Sequence, residues 1–159
     1  MRAVRVIIAD ESPAMRRWYA AALSRVASEV EECESGWQLL HRLAEDRPYD
    51  LVVASKWLPG LGGAQILAML RTADAAVPFI LVAPFSGGSV RALVRKVAGA
   101  ALVDDPLDAV QLAEAAQRLL SSWPADRQQE RQRGTARVLK AHARARRAGA
   151  NPKRVGRIA

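Results

Sequence analysis

Short apolar runs alternate along the chain with stretches in which apolar residues recur every three or four positions. The runs lie at residues 4–9, 51–55, 79–83 and 101–103, with a weaker one at 30–33. A strand that is buried on both faces is apolar at successive positions, so these runs predict five strands. The stretches that follow them predict helices that bury one face. Five strand–helix units in sequence predict an α/β fold with a doubly wound five-stranded parallel sheet, whose functional edge lies at the carboxyl ends of the strands.

The helices are marked by their first turns and by their apolar faces. Pro13 suits the first turn of the first helix, where no backbone N–H is needed. A pair of glycines delays the start of the fourth helix, which we expect over about residues 89–97. Helical spacing places Trp18 and Trp37 on core-facing positions of the first and second helices.

Length and composition fit one folded domain with an appendage. The chain has 159 residues, of which 50% are hydrophobic, enough for one core. Cys33 is the only cysteine, which excludes an internal disulfide and favours a reducing compartment. The first residues lack the pattern of a signal peptide, and no apolar run approaches the roughly 20 residues that span a bilayer. We therefore expect a cytoplasmic protein without membrane contact.

The net charge of +8 belongs to the C-terminal part of the chain. From residue 121 onward eleven basic residues face only two acidic ones, whereas the preceding 120 residues hold thirteen basic and fourteen acidic side chains. Such a basic block indicates an anionic partner. We predict a folded domain over residues 1–122 and an arginine-rich ligand-binding tail over 123–159. The tail should be disordered when free, because its charges repel and it buries little apolar surface.

Part of this tail has the pattern of a helix. Gly134 and Thr135 form a break and an N-cap, and Gly149 and Pro152 would end a helix that starts near residue 136. On such a helix one face carries Arg137, Lys140, Arg144 and Arg147. We call this set the basic stripe. A helix with that stripe is marginal alone and is favoured when an anion neutralises it.

Four segments of residues 4–120 together resemble the CheY-like receiver domain of response regulators. They read IIADESP, DLVVASKWLPGLGG, VPFILVAPF and GAALVDDPLD, in the order and spacing of that family. The resemblance implies a flavodoxin-like receiver fold. It also implies Mg²⁺ on the acidic pair Asp10 and Glu11. Four further positions of its phosphorylation site depart from the family: the acceptor is Ser55, the hydroxyl position is Ala83, the lysine position is Asp105 and the aromatic switch position is Leu102.

These departures predict a receiver that works as a scaffold and not as a phosphorylation switch. Ser55 would need a general base or a kinase, and Asp105 adds negative charge where phosphoryl oxygens would lie. Asp10, Glu11 and Asp105 form a candidate weak site for a divalent cation such as Mg²⁺. A solvated acidic pocket without a metal is the favoured interpretation of the same three carboxylates.

The tail offers groups that suit both phosphates and guanines. Arginine forks bind phosphate and the O6 and N7 atoms of guanine, and a carboxylate accepts from the opposite guanine edge. The motif RQRGTAR, with the spacing of Arg127 and Arg131, resembles the Cle group of CheY-like cyclic di-GMP effectors. That resemblance implies cyclic di-GMP as the ligand and the flagellar motor as the place of action. The candidate ligand-binding residues are Asp126, Arg127, Arg131, Arg133, Gly134, Thr135, Arg137, Lys140, Arg144 and Arg147.

Several single residues leave two interpretations open. Asp126 either accepts from a guanine edge or stabilises the start of a short helix. Trp123 either stacks on a base or, as we favour, packs the end of the last helix of the domain. Trp57 either contacts a partner or folds back on the core. His142 is interpreted as a surface residue.

Three functions compete. The favoured one is a cyclic di-GMP effector that docks to a protein partner, by resemblance the flagellar motor switch at the flagellar base. Docking could use the basic residues Arg91, Arg95 and Lys96 of the fourth helix. The alternative is a nucleic-acid-associated protein whose tail binds DNA or RNA phosphates without sequence preference. A phosphorelay receiver is disfavoured by the missing acceptor. Neither histidine belongs to a catalytic motif, so we expect no enzymatic activity.

Overall fold

Five strands alternate with five helices along the chain. A computed structural model describes residues 2–45, 47–104, 107–123, 137, 139–141 and 144. The strands are β1 (Arg5–Ala9), β2 (Glu29–Cys33), β3 (Leu51–Ser55), β4 (Phe79–Val82) and β5 (Ala100–Val103). The helices are α1 (Pro13–Ala22), α2 (Gly36–Leu43), α3 (Gly63–Thr72), α4 (Gly88–Arg95) and α5 (Ala109–Ser122).

The strands form one parallel sheet in the order β2-β1-β3-β4-β5. The predicted doubly wound, flavodoxin-like fold is thereby confirmed. In the register, Ala9 pairs with Cys33 on one side and Ala54 on the other, and Ser55 pairs with Val82. The carboxyl ends of the strands therefore meet at one edge. From β1 the chain adds β2 on one side and β3 on the other, so the strand order reverses between β1 and β3. A crevice at such a reversal is where open α/β sheets bind their ligands.

Two apolar clusters cover the two faces of the sheet. The first cluster lies under α2, α3 and α4, which contribute residues such as Leu39, Leu67 and Val94. The second lies under α1 and α5 and includes Tyr19 and Leu112. All residues of β1, β3 and β4 are buried, which explains why these strands are apolar at successive positions.

Both Trp18 and Trp37 were predicted to face the core. This prediction is right for Trp18 and wrong for Trp37. Trp18 is partly buried and packs against the second cluster. Trp37 is 43% exposed, because α2 turns Leu39 toward the core and a residue two positions away points to the other side. Its ring covers the turn at Gly60, where an added Cβ would lie 2.6 Å from the indole. Gly60 also has a φ of 80°, so this turn needs glycine on two counts.

The described residues of the C-terminal segment are helical. They are residues 137, 139–141 and 144, and Leu139 among them is only 6% exposed and belongs to the first cluster. A helix near residue 136 was predicted, but the burial of Leu139 was not. No described helix is long and apolar enough to cross a membrane.

Candidate functional site

The carboxyl edge of the sheet brings together several of the predicted site positions. Asp10 follows β1, Ser55 ends β3 and Ala83 follows β4. Backbone hydrogen bonds hold these strand ends side by side: Lys56 N donates to Val82 O at 2.9 Å, and Ala83 N donates to Val103 O at 3.0 Å. Asp105, the remaining predicted carboxylate, lies outside the described residues.

Asp10 is a buried carboxylate whose two oxygens both accept hydrogen bonds. Its side chain is held at Oδ2 by the Tyr19 hydroxyl, at 2.8 Å, and at Oδ1 by the Ser12 amide, at 2.9 Å. Burial raises the pKa of Tyr19, and the hydrogen bond to Asp10 and the charge of Asp10 raise it further. Tyr19 therefore stays protonated and donates to Asp10. Helical spacing identifies Tyr19 only as a core residue, so this role was missed.

A guanidinium lies beside the acidic pair. Arg16 Nη1 donates to the Asp10 carbonyl at 2.7 Å and to the Glu11 carbonyl at 3.3 Å, and Arg16 Nε lies 3.7 Å from Glu32 Oε1. Arg16 therefore places a positive charge next to the loop after β1 and ties that loop to the end of β2.

Only part of the predicted Mg²⁺ site lies within the described residues. Mg²⁺ requires several oxygen ligands in octahedral geometry, and the described part of the chain contains no group of three His, Cys, Asp or Glu that could hold a metal. Asp10 already accepts from Tyr19 and Ser12, and Glu11 is exposed. The third predicted ligand, Asp105, is outside the described ranges, so the three-carboxylate site stays a prediction.

The acceptor position has lost its carboxylate and is built into the loop. Ser55 is 6% exposed, and its Oγ accepts from the Trp57 amide at 3.1 Å. An added Cβ at Gly63 would lie 2.5 Å from the Ser55 carbonyl oxygen, so the loop packs closely on this residue. Ala83 is fully buried, and Leu102 is partly buried against the first cluster. These positions supply packing and backbone hydrogen bonds.

Two aromatic side chains project from the loops at this edge. Trp57 is 61% exposed, and its ring lies 4.7 Å from the Lys56 ammonium. Trp57 is therefore exposed and does not fold back on the core, while its contact with a partner stays a prediction. Phe85, which sequence reasoning missed, is 91% exposed and has a φ of 58°. A phenylalanine in the left-handed region is unusual, and its place between Pro84 and Gly87 in the loop after β4 is the sequence signal that could have marked it.

The tail residues of the predicted site are only partly described. Arg137, Lys140 and Arg144 are helical, and Arg137 and Arg144 are exposed. The remaining candidates and His142 lie outside the described residues: Asp126, Arg127, Arg131, Arg133, Gly134, Thr135 and Arg147. Trp123 follows α5 directly, and an added Cβ at Gly99 would lie 2.8 Å from its ring. Trp123 thus packs the end of α5, as favoured.

The surface of α4 is basic. Arg91, Arg95 and Lys96 are all exposed, and Arg91 forms an ion pair with Asp104 at 2.5 Å. Leu93 lies among them and is 38% exposed. The surface of α4 therefore presents the exposed side chain of Leu93 among basic side chains.

Residues 6–117, more than half of the chain, match the family model of the response regulator receiver domain. The chain belongs to the response regulator receiver family. The serine at position 55 is therefore a departure within a receiver, whereas the acidic pair Asp10 and Glu11 keeps the family's residue types. No curated protein matches the chain.

Solved receiver structures share this fold. A response regulator receiver protein from Sinorhizobium medicae is 20% identical, with a TM-score of 0.67, and the match covers 76% of this chain and 97% of that one. A CheY-like receiver from Methanospirillum hungatei is also 20% identical, with a TM-score of 0.67 and coverages of 76% and 96%. The NtrX receiver from Brucella abortus is 21% identical, with a TM-score of 0.64 and coverages of 74% and 99%. At these identities the likeness establishes the fold alone.

Proposed function

We propose that this receiver is a cyclic di-GMP effector that works without phosphorylation. The dinucleotide binds the arginine-rich tail, and the loaded chain docks to a protein partner, the flagellar motor switch by family resemblance. In this proposal the protein binds and signals but catalyses no reaction. The observation that carries it is the exposure of Arg137 and Arg144 on helical residues of the tail.

The spacing of these two arginines supports a compact ligand. They are seven residues apart, which is close to two turns, so they lie on one side and about 10 Å apart along a helix axis. Two forks at that separation can engage one small ligand at two of its groups. Cyclic di-GMP presents two guanines and two phosphates, and arginine binds both kinds of group bidentately.

The receiver site supports the part of the proposal that excludes phosphorylation. Ser55 carries no carboxylate and its Oγ accepts from the Trp57 amide. The family's hydroxyl position is the methyl group of Ala83. With these parts missing, the receiver has neither the nucleophile nor the hydroxyl donor that phosphoryl transfer to it would use.

Docking to a partner rests on the surface of α4. Arg95 and Lys96 give this helix a positive field, because the charge of Arg91 is balanced by Asp104, and such a field favours an acidic partner surface and speeds association. The choice of the flagellar motor switch comes from the resemblance to the Cle group. A pull-down of motor switch proteins by the intact chain, with and without cyclic di-GMP, tests it. Capture that does not depend on the dinucleotide would contradict the proposal.

Titration of the intact chain with two anions tests the ligand. The chain is titrated with cyclic di-GMP and with random duplex DNA, each at about 50 mM and 200 mM salt. We expect saturable dinucleotide binding that weakens little with salt, because two phosphates release few counterions. Duplex DNA that contacts several basic residues loses about a thousandfold or more over that range.

The nucleic-acid alternative has its own support in the eleven basic residues after residue 120. If duplex DNA binds tightly with a steep salt dependence and the titration detects no binding of cyclic di-GMP, the tail is a phosphate-binding arm. In that case the cyclic di-GMP proposal is wrong, and the nucleic-acid function replaces it.

A further inference from the structure

Leu139 is the one described tail residue that is buried. It is 6% exposed and belongs to the first cluster, which also contains Val94 of α4. Partly buried residues of α4 and β5, among them Val90 and Leu102, pack against the same cluster. The arginine-rich segment therefore has an aliphatic contact with the receiver, on the side of the sheet that α4 covers.

The helical register sets Leu139 opposite the arginines. At about 100° per residue, Leu139 lies roughly 160° around the helix from Arg137 and roughly 140° from Arg144. The burial of the described residues agrees: Leu139 is buried, whereas Arg137, Ala141 and Arg144 are exposed. Seating Leu139 on the receiver therefore turns Arg137 and Arg144 toward solvent.

The segment needs such a contact to keep a helix. Basic residues three and four positions apart on one face, such as Arg137, Lys140 and Arg144, repel each other, and a short helix is marginal in water even without that repulsion. Most helical stability in proteins comes from packing of an apolar face. In the described part of this segment, Leu139 supplies that packing.

We propose that Leu139 is a positioning residue, whose burial on the receiver fixes the helix that presents Arg137 and Arg144 to an anionic ligand. The identity of that ligand as cyclic di-GMP rests on the proposed function. The anchor makes the receiver part of the ligand site, because an arginine pair held in place binds without the cost of ordering it. It also replaces, for this segment, the expectation of a tail that is disordered when free.

Substitution of Leu139 in the intact chain tests the anchor. The variants are Leu139→Ala, which removes the aliphatic contact, and Leu139→Met, which keeps its volume. Val110→Ala is the matched control, since Val110 is 62% exposed on α5 and loses similar aliphatic atoms without losing burial. Two quantities are measured: amide hydrogen exchange at residues 137, 139–141 and 144 in the free protein, and affinity for cyclic di-GMP and for random duplex DNA.

We expect slowed exchange in the wild type and fast exchange in Leu139→Ala. If the helix is then docked about a tenth of the time, affinity for cyclic di-GMP falls about tenfold, because only the docked fraction binds well. Leu139→Met and Val110→Ala should both keep the slowed exchange and the affinity of the wild type. A residue that only stabilised the receiver would lower its unfolding temperature without altering the affinity of the folded protein.

Three outcomes separate this inference from the proposed function. Fast exchange at these residues in the wild type would overturn the anchor. Slowed exchange with equal affinities in wild type and Leu139→Ala would overturn the positioning role, while cyclic di-GMP binding stood. If no variant binds cyclic di-GMP, the proposed function is lost, and exchange with DNA affinity still decides whether Leu139 positions the arginines.

Discussion

Asp10 has a buried charge that two hydrogen bonds stabilise, and one of them comes from Tyr19. A buried carboxylate without partners costs several kcal/mol, so such a residue needs each of its donors. Tyr19 is 1% exposed, and its hydroxyl lies 2.8 Å from Asp10 Oδ2. The pair therefore holds the Asp10 carboxylate in place within the packed domain.

Removing the Tyr19 hydroxyl should destabilise the receiver. Tyr19→Phe keeps the ring in the core but leaves Asp10 Oδ2 without its donor, and hydrogen bonds to a charged group contribute about 2 kcal/mol. Urea unfolding should show a loss of that size. The double variant with Asp10→Asn should lose less than the sum of the single variants, with a coupling of about 1 kcal/mol or more. Strict additivity would mean that the two side chains do not interact.

Cys33 should be unreactive while the protein is folded. It is 3% exposed, and burial raises the pKa of its thiol to about 11, above the value of about 8.5 in an unfolded chain. At pH 8 the thiolate fraction then falls from about a quarter to about one in a thousand. Alkylation by iodoacetamide should be more than about a hundredfold slower than in urea.

The raised pKa of Cys33 also gives a sign to the pH dependence of stability. A group whose pKa is raised on folding stabilises below its unfolded pKa and loses that contribution as pH rises through the folded value. Between about pH 8.5 and 11, the wild type should lose more stability than Cys33→Ala. Parallel curves for the two proteins would contradict this assignment.

At the scale of elements, Arg71 joins the end of α3 to the segments that lead into β4 and β5. Its Nη1 donates to the Ala75 carbonyl at 2.6 Å, Nη2 to the Val77 carbonyl at 3.0 Å and Nε to the Ala98 carbonyl at 3.2 Å. Burial lowers the pKa of Arg71, as expected for a guanidinium bound by carbonyls away from solvent. Nη2 also donates to the Gly99 carbonyl at 3.4 Å, so one side chain satisfies four backbone acceptors of two loops.

Arg71→Met should therefore cost about 2 kcal/mol in the free energy of unfolding, because the carbonyls lose their donor while the aliphatic stem stays. Arg42→Met is the control. Arg42 lies in the last turn of α2 and forms only an exposed ion pair with Glu45 at 3.7 Å, which is worth at most about 0.5 kcal/mol. Chemical denaturation measures both. Equal effects would show that Arg71 does no more than a surface arginine.

The elements also show what could be predicted from the sequence. β1, β3 and β4 were predictable because strands buried on both faces read as nearly continuous apolar runs, here interrupted only by Arg5 at the start of β1 and Ser55 at the end of β3. The exposure of Trp37 was not, since its position on α2 depends on how the helix rotates to seat Leu39. The burial of Leu139 was not predicted either, because the adjacent aliphatic residues Val138 and Leu139 in a basic segment do not repeat with helical spacing. This aliphatic pair within a basic segment was the available signal.

For the whole molecule, the structure describes a receiver whose predicted acceptor position, Ser55, is buried and hydrogen-bonded to the Trp57 amide. The fold could be predicted because it follows from patterning over the entire length. The role of Tyr19 could not, because it depends on a distance between α1 and the loop after β1. The identity of the ligand could not be predicted with the same certainty as the fold. It depends on how the tail side chains lie relative to one another, and the sequence identifies only their charge and spacing.

Phosphoryl analogues should leave this receiver unchanged. With Ser55 in place of a carboxylate, beryllofluoride has no acceptor carboxylate to bind, and acetyl phosphate has no acceptor to phosphorylate. Amide chemical shifts should be identical with and without beryllofluoride, and the intact mass should not change with acetyl phosphate. A receiver with an aspartate acceptor serves as the positive control. A phosphorylated mass at Ser55 would overturn the scaffold role.

The central claim is that arginines of the tail recognise guanine and do not merely balance charge. Replacing Arg131, Arg133 and Arg137 together by Lys keeps the net charge but removes the bidentate forks, each worth about 1–3 kcal/mol on a base. The matched control makes the same substitution at three exposed arginines of the receiver, Arg17, Arg25 and Arg95.

Calorimetric titration of these variants with cyclic di-GMP tests the claim most directly. We predict that the tail variant weakens by about a hundredfold or more, that the control variant binds as the wild type does, and that both keep any affinity for random duplex DNA. If the tail variant binds cyclic di-GMP as tightly as the wild type, the arginines act only as charges and guanine recognition by this tail is wrong.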